Sequence, residues 1–199
     1  MEPSARVILL ASASPRRREL LEALGHAVLV HPIAVDESEL PGERPDEYLA
    51  RIVSAKLAAG QTVVPEREVD ALLVADTTVV VGGHILQKPE DAADGARMLR
   101  ALAGKAHAVT TRFAIAPREG AAHVESVTTR VVFRALEDDE IAAYVACGEG
   151  RDKAGGYAIQ GRGASFIERI EGSYGAVVGL PSCEVTLVLS RLPRRATSG

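Results

Sequence analysis

Apolar runs of strand length alternate along the chain with stretches whose apolar residues recur every three to four positions. Arg6–Ala11 is a continuous apolar run closed by small residues and predicts a buried strand. Ser14-Pro15 then supplies a helix start, Leu20, Leu21 and Leu24 an apolar face, and Gly25 a stop. Val28–Ile33 is a second strand candidate, weakened at its end by Pro32. After the turn-rich Asp36–Pro45, a helix is expected over about Asp46–Ala59, with Tyr48, Leu49, Ile52, Val53 and Leu57 on one face and Gly60 after it. Ala71–Val81 is the strongest strand signal, and Gly82-Gly83 turns it back into His84–Gln87. A helix over Asp91–Ala103, with Ala92, Ala96, Leu99 and Leu102 as its face, stops at Gly104. Ala106–Ala116 and His123–Phe133 read as long strands joined by a turn at Pro117–Gly120. Glu137–Ala146 reads as a helix, Ser165–Ile170 as a strand, and Pro181 opens a last helix to about Leu192.

Helices and strands mix and a hairpin is present, so the fold class is α/β, a mixed β-sheet flanked by helices. No linker divides the chain. Residues 1–192 are expected to form a single domain of two lobes that share one sheet and enclose a cleft, and 193–199 a frayed tail.

Composition removes several functional classes. At 199 residues the chain can build a core without disulfides, and its two cysteines, Cys147 and Cys183, form no CxxC pair. A formal charge of −4, aromatics at 4% and the lack of Trp argue against nucleic-acid binding. No apolar run approaches the roughly 18 residues needed to span a bilayer, and the first residues lack a signal-peptide layout. A cytoplasmic protein without nucleic-acid or membrane partners is expected.

The chemistry concentrates at four places. Arg16, Arg17 and Arg18 occupy the first turn of the first helix, where cations meet the positive end of the dipole. An anion held there by free N–H groups, the Ser12 and Ser14 hydroxyls and Arg forks resolves the conflict, and a phosphate suits that donor set; the alternative is a solvated basic face. Successive helical positions are about 100° apart, so at least one of the three faces solvent. Asp76 interrupts an apolar strand and is followed by Thr77-Thr78. A carboxylate there is a metal ligand, a proton acceptor for water, or both; its structural alternative is a cap at a bulge. The loop acids Asp36-Glu37 offer a metal-binding carboxylate, but they and the four lysines (Lys56, Lys88, Lys105 and Lys153) are each compatible with a plain surface role. The Gly-rich stretch Gly148–Gly163 is neither a P-loop nor GxGxxG. Gln160 within it can read a base edge, but the stretch alone reads as a flexible loop.

Together these segments resemble the Maf family of nucleoside triphosphate pyrophosphatases. The resemblance is carried by Leu10–Leu21, Ala75-Asp76-Thr77, Lys88-Pro89, Leu102–Thr110, Lys153–Gly161, and Gly172-Ser173-Tyr174 leading to Val178–Pro181, in that order and nearly end to end. It implies an elongated two-lobed fold similar to the inosine triphosphate pyrophosphatases. It also implies hydrolysis of a nucleoside triphosphate to the monophosphate and pyrophosphate with a divalent cation, Mg²⁺ or Mn²⁺, and a homodimer. Asp76 matches the family's proton acceptor. Arg16, Thr77 and Gln160 match positions tied to substrate choice and point to the dTTP and UTP subgroup. Ser12, Arg17, Glu37, Lys56 and Lys88 match further pocket residues, with Glu37 and Asp76 as the metal ligands. One departure is Gly150 where Pro is expected after Glu149, which predicts a looser loop there. Members are linked to septum formation, so the competing expectation is a nucleotide-binding regulator of cell division without significant catalysis.

Overall fold

Val7–Leu10, buried from Ile8 on, is a strand, β1, because its side chains are apolar on both faces and it has parallel neighbours on both sides. On one side it pairs with β2 (Ala27–Val30), in the register Val7↔Ala27 to Leu10↔Val30. On the other it pairs with β3 (Ala71–Val81), Ile8 facing Ala71 and Leu10 facing Leu73. The computed structural model describes residues 5–64 and 68–193. Helix α1 (Pro15–Ala23) connects β1 to β2, and α2 (Pro45–Gln61) leads on to β3. There follow β4 (His84–Leu86), α3 (Ala92–Leu102), β5 (Ala106–Pro117), β6 (His123–Phe133), α4 (Asp138–Cys147), β7 (Ile167–Glu171), α5 (Tyr174–Val178) and α6 (Ser182–Arg191). Among the described residues the strands form a mixed seven-stranded sheet in the order β2-β1-β3-β5-β6-β7, with β4 paired antiparallel to β3.

The chain divides into two compact units: Met1–Asp76, Arg112–Ser126 and Gly179–Gly199 in one, Thr77–Thr111 and Val127–Val178 in the other. The first unit is built around Leu9, Val53, Leu72, Val74 and Ala114. The second packs Met98, Leu99, Leu102, Phe133, Tyr144, Tyr157 and Phe166 into an aromatic-rich core. The tail expected to fray, beyond Pro193, lies outside the described residues.

Gly60 does not end its helix. It lies inside α2, where a Cβ would stand 2.8 Å from Leu72 Cδ2, so the glycine lets α2 approach β3 closely. The face of α3 is set by Gly95, Met98, Leu99 and Leu102 with Ala96 packed beside them, whereas Ala92 is exposed, and the apolar turn α5 was not foreseen. The Gly-rich stretch is not a loose loop. Ala154–Gly156 and Gly161–Phe166 are 3₁₀ turns. The Glu149 carboxylate accepts from the N–H groups of Arg162 and Gly163, each at 2.9 Å, and from the Tyr144 hydroxyl at 2.9 Å. That hydroxyl in turn accepts from Ala158 N at 3.0 Å. Nor does Gly150 loosen the segment: a Cβ there would run into the Gly156 carbonyl, so the chain folds too tightly at this point for any side chain.

Candidate active site

The site of the first unit begins where β1 ends. Strands β2 and β3 flank β1 on opposite sides, so the chain leaves β1 in one direction and returns on the other. Such a reversal leaves a crevice outside the carboxyl ends of parallel strands, where α/β sheets bind ligands. Ala11 N still donates to Leu73 O at 2.9 Å. Beyond it, the chain on the β1 side turns through Ser12 into α1, while β3 continues to Asp76. Ser14 occupies the N-cap position without a side-chain cap, and Ser12 Oγ instead accepts from Ser14 N at 3.2 Å.

The three arginines of this turn separate as helical spacing requires. Arg18 is exposed and pairs with Glu22 at 2.7 Å. Arg16 is half-buried. Arg17 is buried, donating from Nη1 to Ser12 Oγ at 3.0 Å and from Nε to the Gly179 carbonyl at 2.8 Å. Burial pushes the Arg17 guanidinium below its ordinary pKa, while the nearby Asp76 and Glu37 charges pull it back up.

Lys56, on the buried face of α2, is only 7% exposed. A lysine at that depth needs a partner, and it has two: Nζ lies 2.6 Å from Glu37 Oε1 and 2.8 Å from Asp76 Oδ1. Asp76 is therefore neither an isolated buried charge nor a backbone cap. It belongs to a carboxylate–ammonium–carboxylate group whose members come from the loop before α2, from α2 and from β3. Glu37 and Asp76 supply hard carboxylate oxygens, the donor type that Mg²⁺ and Mn²⁺ take, with the Lys56 ammonium holding one oxygen of each. Among the described residues no three His, Cys, Asp or Glu side chains gather into a ready-made metal cage. An ion held by Glu37 and Asp76 therefore needs further oxygens from substrate phosphates or water, as Mg²⁺ sites commonly do.

Of the site residues expected from the sequence, Ser12 and Arg17 are joined by a hydrogen bond and Glu37, Lys56 and Asp76 by ion pairs, with Arg16 on the same turn as Arg17. Thr77, Lys88 and Gln160 belong to the second unit. Thr77 is half-buried with its hydroxyl 2.7 Å from that of Thr111, whereas Lys88 and Gln160 are exposed. Sequence reasoning missed Arg51 and Glu43 beside Glu37, and Glu149 in the Gly-rich segment. The available signal for Arg51 was its place one turn after Tyr48, on the helix that carries Lys56.

The profile of the Maf-like protein family matches residues 7–192. The chain belongs to the Maf-like family. Among its relatives, a dTTP/UTP pyrophosphatase of Geobacter sp. strain M21 is 50% identical over 179 residues, 89% of this chain and 91% of the relative. A dTTP/UTP pyrophosphatase of Anaeromyxobacter dehalogenans strain 2CP-1 is 48% identical over 187 residues, 92% and 93% of the two chains. A solved structure of a nucleoside-triphosphatase / dITP/XTP pyrophosphatase from Mycobacterium abscessus aligns over 65% of this Maf-like chain and 75% of its own, with 19% identity and a TM-score of 0.41. Among the described residues no helix is long and apolar enough to cross a membrane.

Proposed function

We propose that this chain is a nucleoside triphosphate pyrophosphatase that hydrolyses dTTP and UTP to the nucleoside monophosphate and pyrophosphate, using a divalent cation, Mg²⁺ or Mn²⁺. The observation that carries the reading is the Glu37–Lys56–Asp76 group beside the start of α1, in a chain whose curated relatives are named for this reaction. Cleavage between the α- and β-phosphates needs a water aimed at phosphorus and compensation for charge on both sides of the broken bond. Asp76 orients that water and accepts its proton. Glu37 and Asp76 hold the cation, which when bound neutralises phosphate charge. Lys56 fixes the direction of both carboxylates. The Ser12 turn and Arg16 receive phosphate oxygens, and Arg17 braces that turn by tying Ser12 to Gly179. Lys88 is assigned to the phosphates, and Thr77 and Gln160, together with Arg16, to the choice of pyrimidine, on their motif positions. The same reading takes the protein to be a cytoplasmic homodimer.

The test is pyrophosphate release by purified protein from dTTP, UTP, CTP and 7-methyl-GTP with Mg²⁺. Release from dTTP and UTP above the other two is expected. No release from any triphosphate would overturn the enzyme in favour of a nucleotide-binding regulator.

A further inference from the structure

Fourteen residues separate β2 from α2 without regular structure, and Glu37 lies near their middle. A segment of that length does not hold a carboxylate in place by itself, since backbone ordering costs about 1–2 kcal/mol per residue. The structure shows what holds it. Three consecutive carbonyls around Glu37 accept hydrogen bonds from α2. Arg51 Nη1 reaches Asp36 O at 3.5 Å, the Tyr48 hydroxyl reaches Glu37 O at 3.0 Å, and Arg51 Nη2 reaches Ser38 O at 2.8 Å. Arg51 is itself locked by a two-pronged pair with Glu43, Nε to Oε1 at 2.6 Å and Nη2 to Oε2 at 2.7 Å. Its guanidinium carbon stands 5.5 Å from the centroid of the Tyr48 ring. Asp36 Oδ1 closes a local turn by accepting from Ser38 N at 2.9 Å and Ser38 Oγ at 2.6 Å.

We propose that Arg51 and Tyr48 are positioning residues that present the Glu37 carboxylate to the cation site, with Glu43 holding Arg51 for that task. This rests on the reading of Glu37 as a cation ligand. Helix α2 then controls Glu37 at both ends: Lys56 takes its carboxylate, while Tyr48 and Arg51 take its backbone and that of its two neighbours. The helix can serve as the rigid reference because Tyr48, Leu49, Ile52 and Val53 are all at most 2% exposed. Tyr48 and Lys56 stand eight residues apart, two turns on one face, and Arg51 lies one turn from Tyr48. A lysine at position 51 would keep the charge but lose the planar fork that reaches Glu43 and the Ser38 carbonyl together.

The test measures Mn²⁺ affinity of the purified chain without nucleotide, by paramagnetic resonance of free Mn²⁺, for wild type, E37Q, R51K, R51A and Y48F. E37Q is expected to weaken binding strongly. R51A and R51K are expected to weaken it about tenfold and Y48F by a smaller factor. The turnover lost in R51A and R51K is expected to recover as Mn²⁺ is raised, which a merely structural defect would not do. Y48F removes one hydroxyl and R51K keeps the charge, so a folding failure of R51A leaves the question decidable. If E37Q binds Mn²⁺ as wild type does, or wild type binds none, the cation reading of Glu37 falls and the positioning role with it. If E37Q weakens binding while R51K and Y48F match wild type, the cation reading stands and the positioning role is refuted.

Discussion

Thr111 receives its hydrogen bond from Thr77 and not the reverse. The single hydroxyl proton of Thr111, on β5, goes to the carbonyl of Ala176 at 2.7 Å, so the 2.7 Å contact between the two hydroxyls uses the proton of Thr77. Thr77 Oγ1 thereby spends its proton on Thr111 and meets any further partner as an acceptor. On the proposed role of Thr77, an acceptor suits the N3–H of thymine and uracil and opposes the bare N3 of cytosine. Thr111→Val frees the Thr77 proton. It is expected to narrow the preference of kcat/KM for UTP over CTP by about tenfold, the worth of one hydrogen bond. Thr111→Ser restores the donor to Ala176 and is expected to restore the preference. An unchanged UTP:CTP ratio in Thr111→Val would show that the hydroxyl pair does not set base choice.

Asp76→Asn separates charge from shape. Asn has nearly the same volume, and Lys56 keeps Glu37 as a partner at 2.6 Å, so the chain is expected to fold and melt cooperatively. Pyrophosphate release from dTTP is expected to fall by about 10²–10⁴, the usual contribution of a positioned proton acceptor. Turnover close to wild type in a folded variant would remove Asp76 from that role.

The extent to which these features were legible differs by their physical origin. The limits of β3 coincide with the apolar run that predicted it, because a strand buried on both faces writes its pattern locally. The start of α1 was legible in Ser14-Pro15, and the 100° spacing of Arg16, Arg17 and Arg18 already implied that one of them faces water, as Arg18 does. Gly60 was misread because a glycine that stops a helix and one that lets a strand approach look alike in sequence; only the distance to Leu72 separates them. The order of the Gly-rich segment was hidden for a related reason. Its glycines suggest freedom, but the Glu149 carboxylate joins Tyr144 to the N–H groups of Arg162 and Gly163, and composition does not reveal such a network. At the site, the polar break at Asp76-Thr77 was visible. Its pairing with Lys56, twenty residues away across α2 and β3, follows from the packing of two elements and has no period.

The buried His107 makes stability fall in mild acid. Its Nε2 lies 2.7 Å from the Tyr157 hydroxyl and its ring meets Phe133 edge-on at 5.0 Å. Burial pulls its pKa from 6.5 down to about 4. The folded state therefore stays neutral where the unfolded chain already takes a proton. The contribution is intact above about pH 6.5, declines as pH falls through the window from 6.5 to 4, and is fully lost below it. By about pH 5 the loss is expected to reach about 2 kcal/mol. His26 is shifted in the same direction by burial and by the Arg6 charge, and adds to the decline. His107→Gln keeps a polar partner for Tyr157 but does not titrate. Urea melts at about pH 7.5 and about pH 5 are expected to show a smaller difference for the variant than for wild type. Equal differences would mean that His107 is protonated as readily in the folded chain as in the unfolded one.

Gly150 is the position at which this chain departs from the expected Pro, and its surroundings predict what the substitution would do. The turn after α4 is closed by Lys153 N donating to Gly150 O at 3.1 Å and Gly156 N donating to Lys153 O at 3.0 Å, while Gly155 N reaches Gln87 O at 3.1 Å. These bonds bring the Gly156 carbonyl against the Gly150 Cα, where a Cβ would collide with backbone rather than with a yielding side chain. Gly150→Ala and Gly150→Pro are both expected to destabilise the chain by about 3 kcal/mol or more, as forced backbone shifts in packed regions do. The steric origin has its own control. Gly95 is also buried, but it lies within α3 and a Cβ there meets nothing closer than Pro89 Cβ at 3.7 Å. Gly95→Ala is expected to be neutral or to stabilise by about 0.5–1 kcal/mol through helix propensity. If urea melts rank Gly150→Ala with Gly95→Ala, the segment after α4 has room to move, and the tight approach of Gly150 to Gly156 is not what orders it.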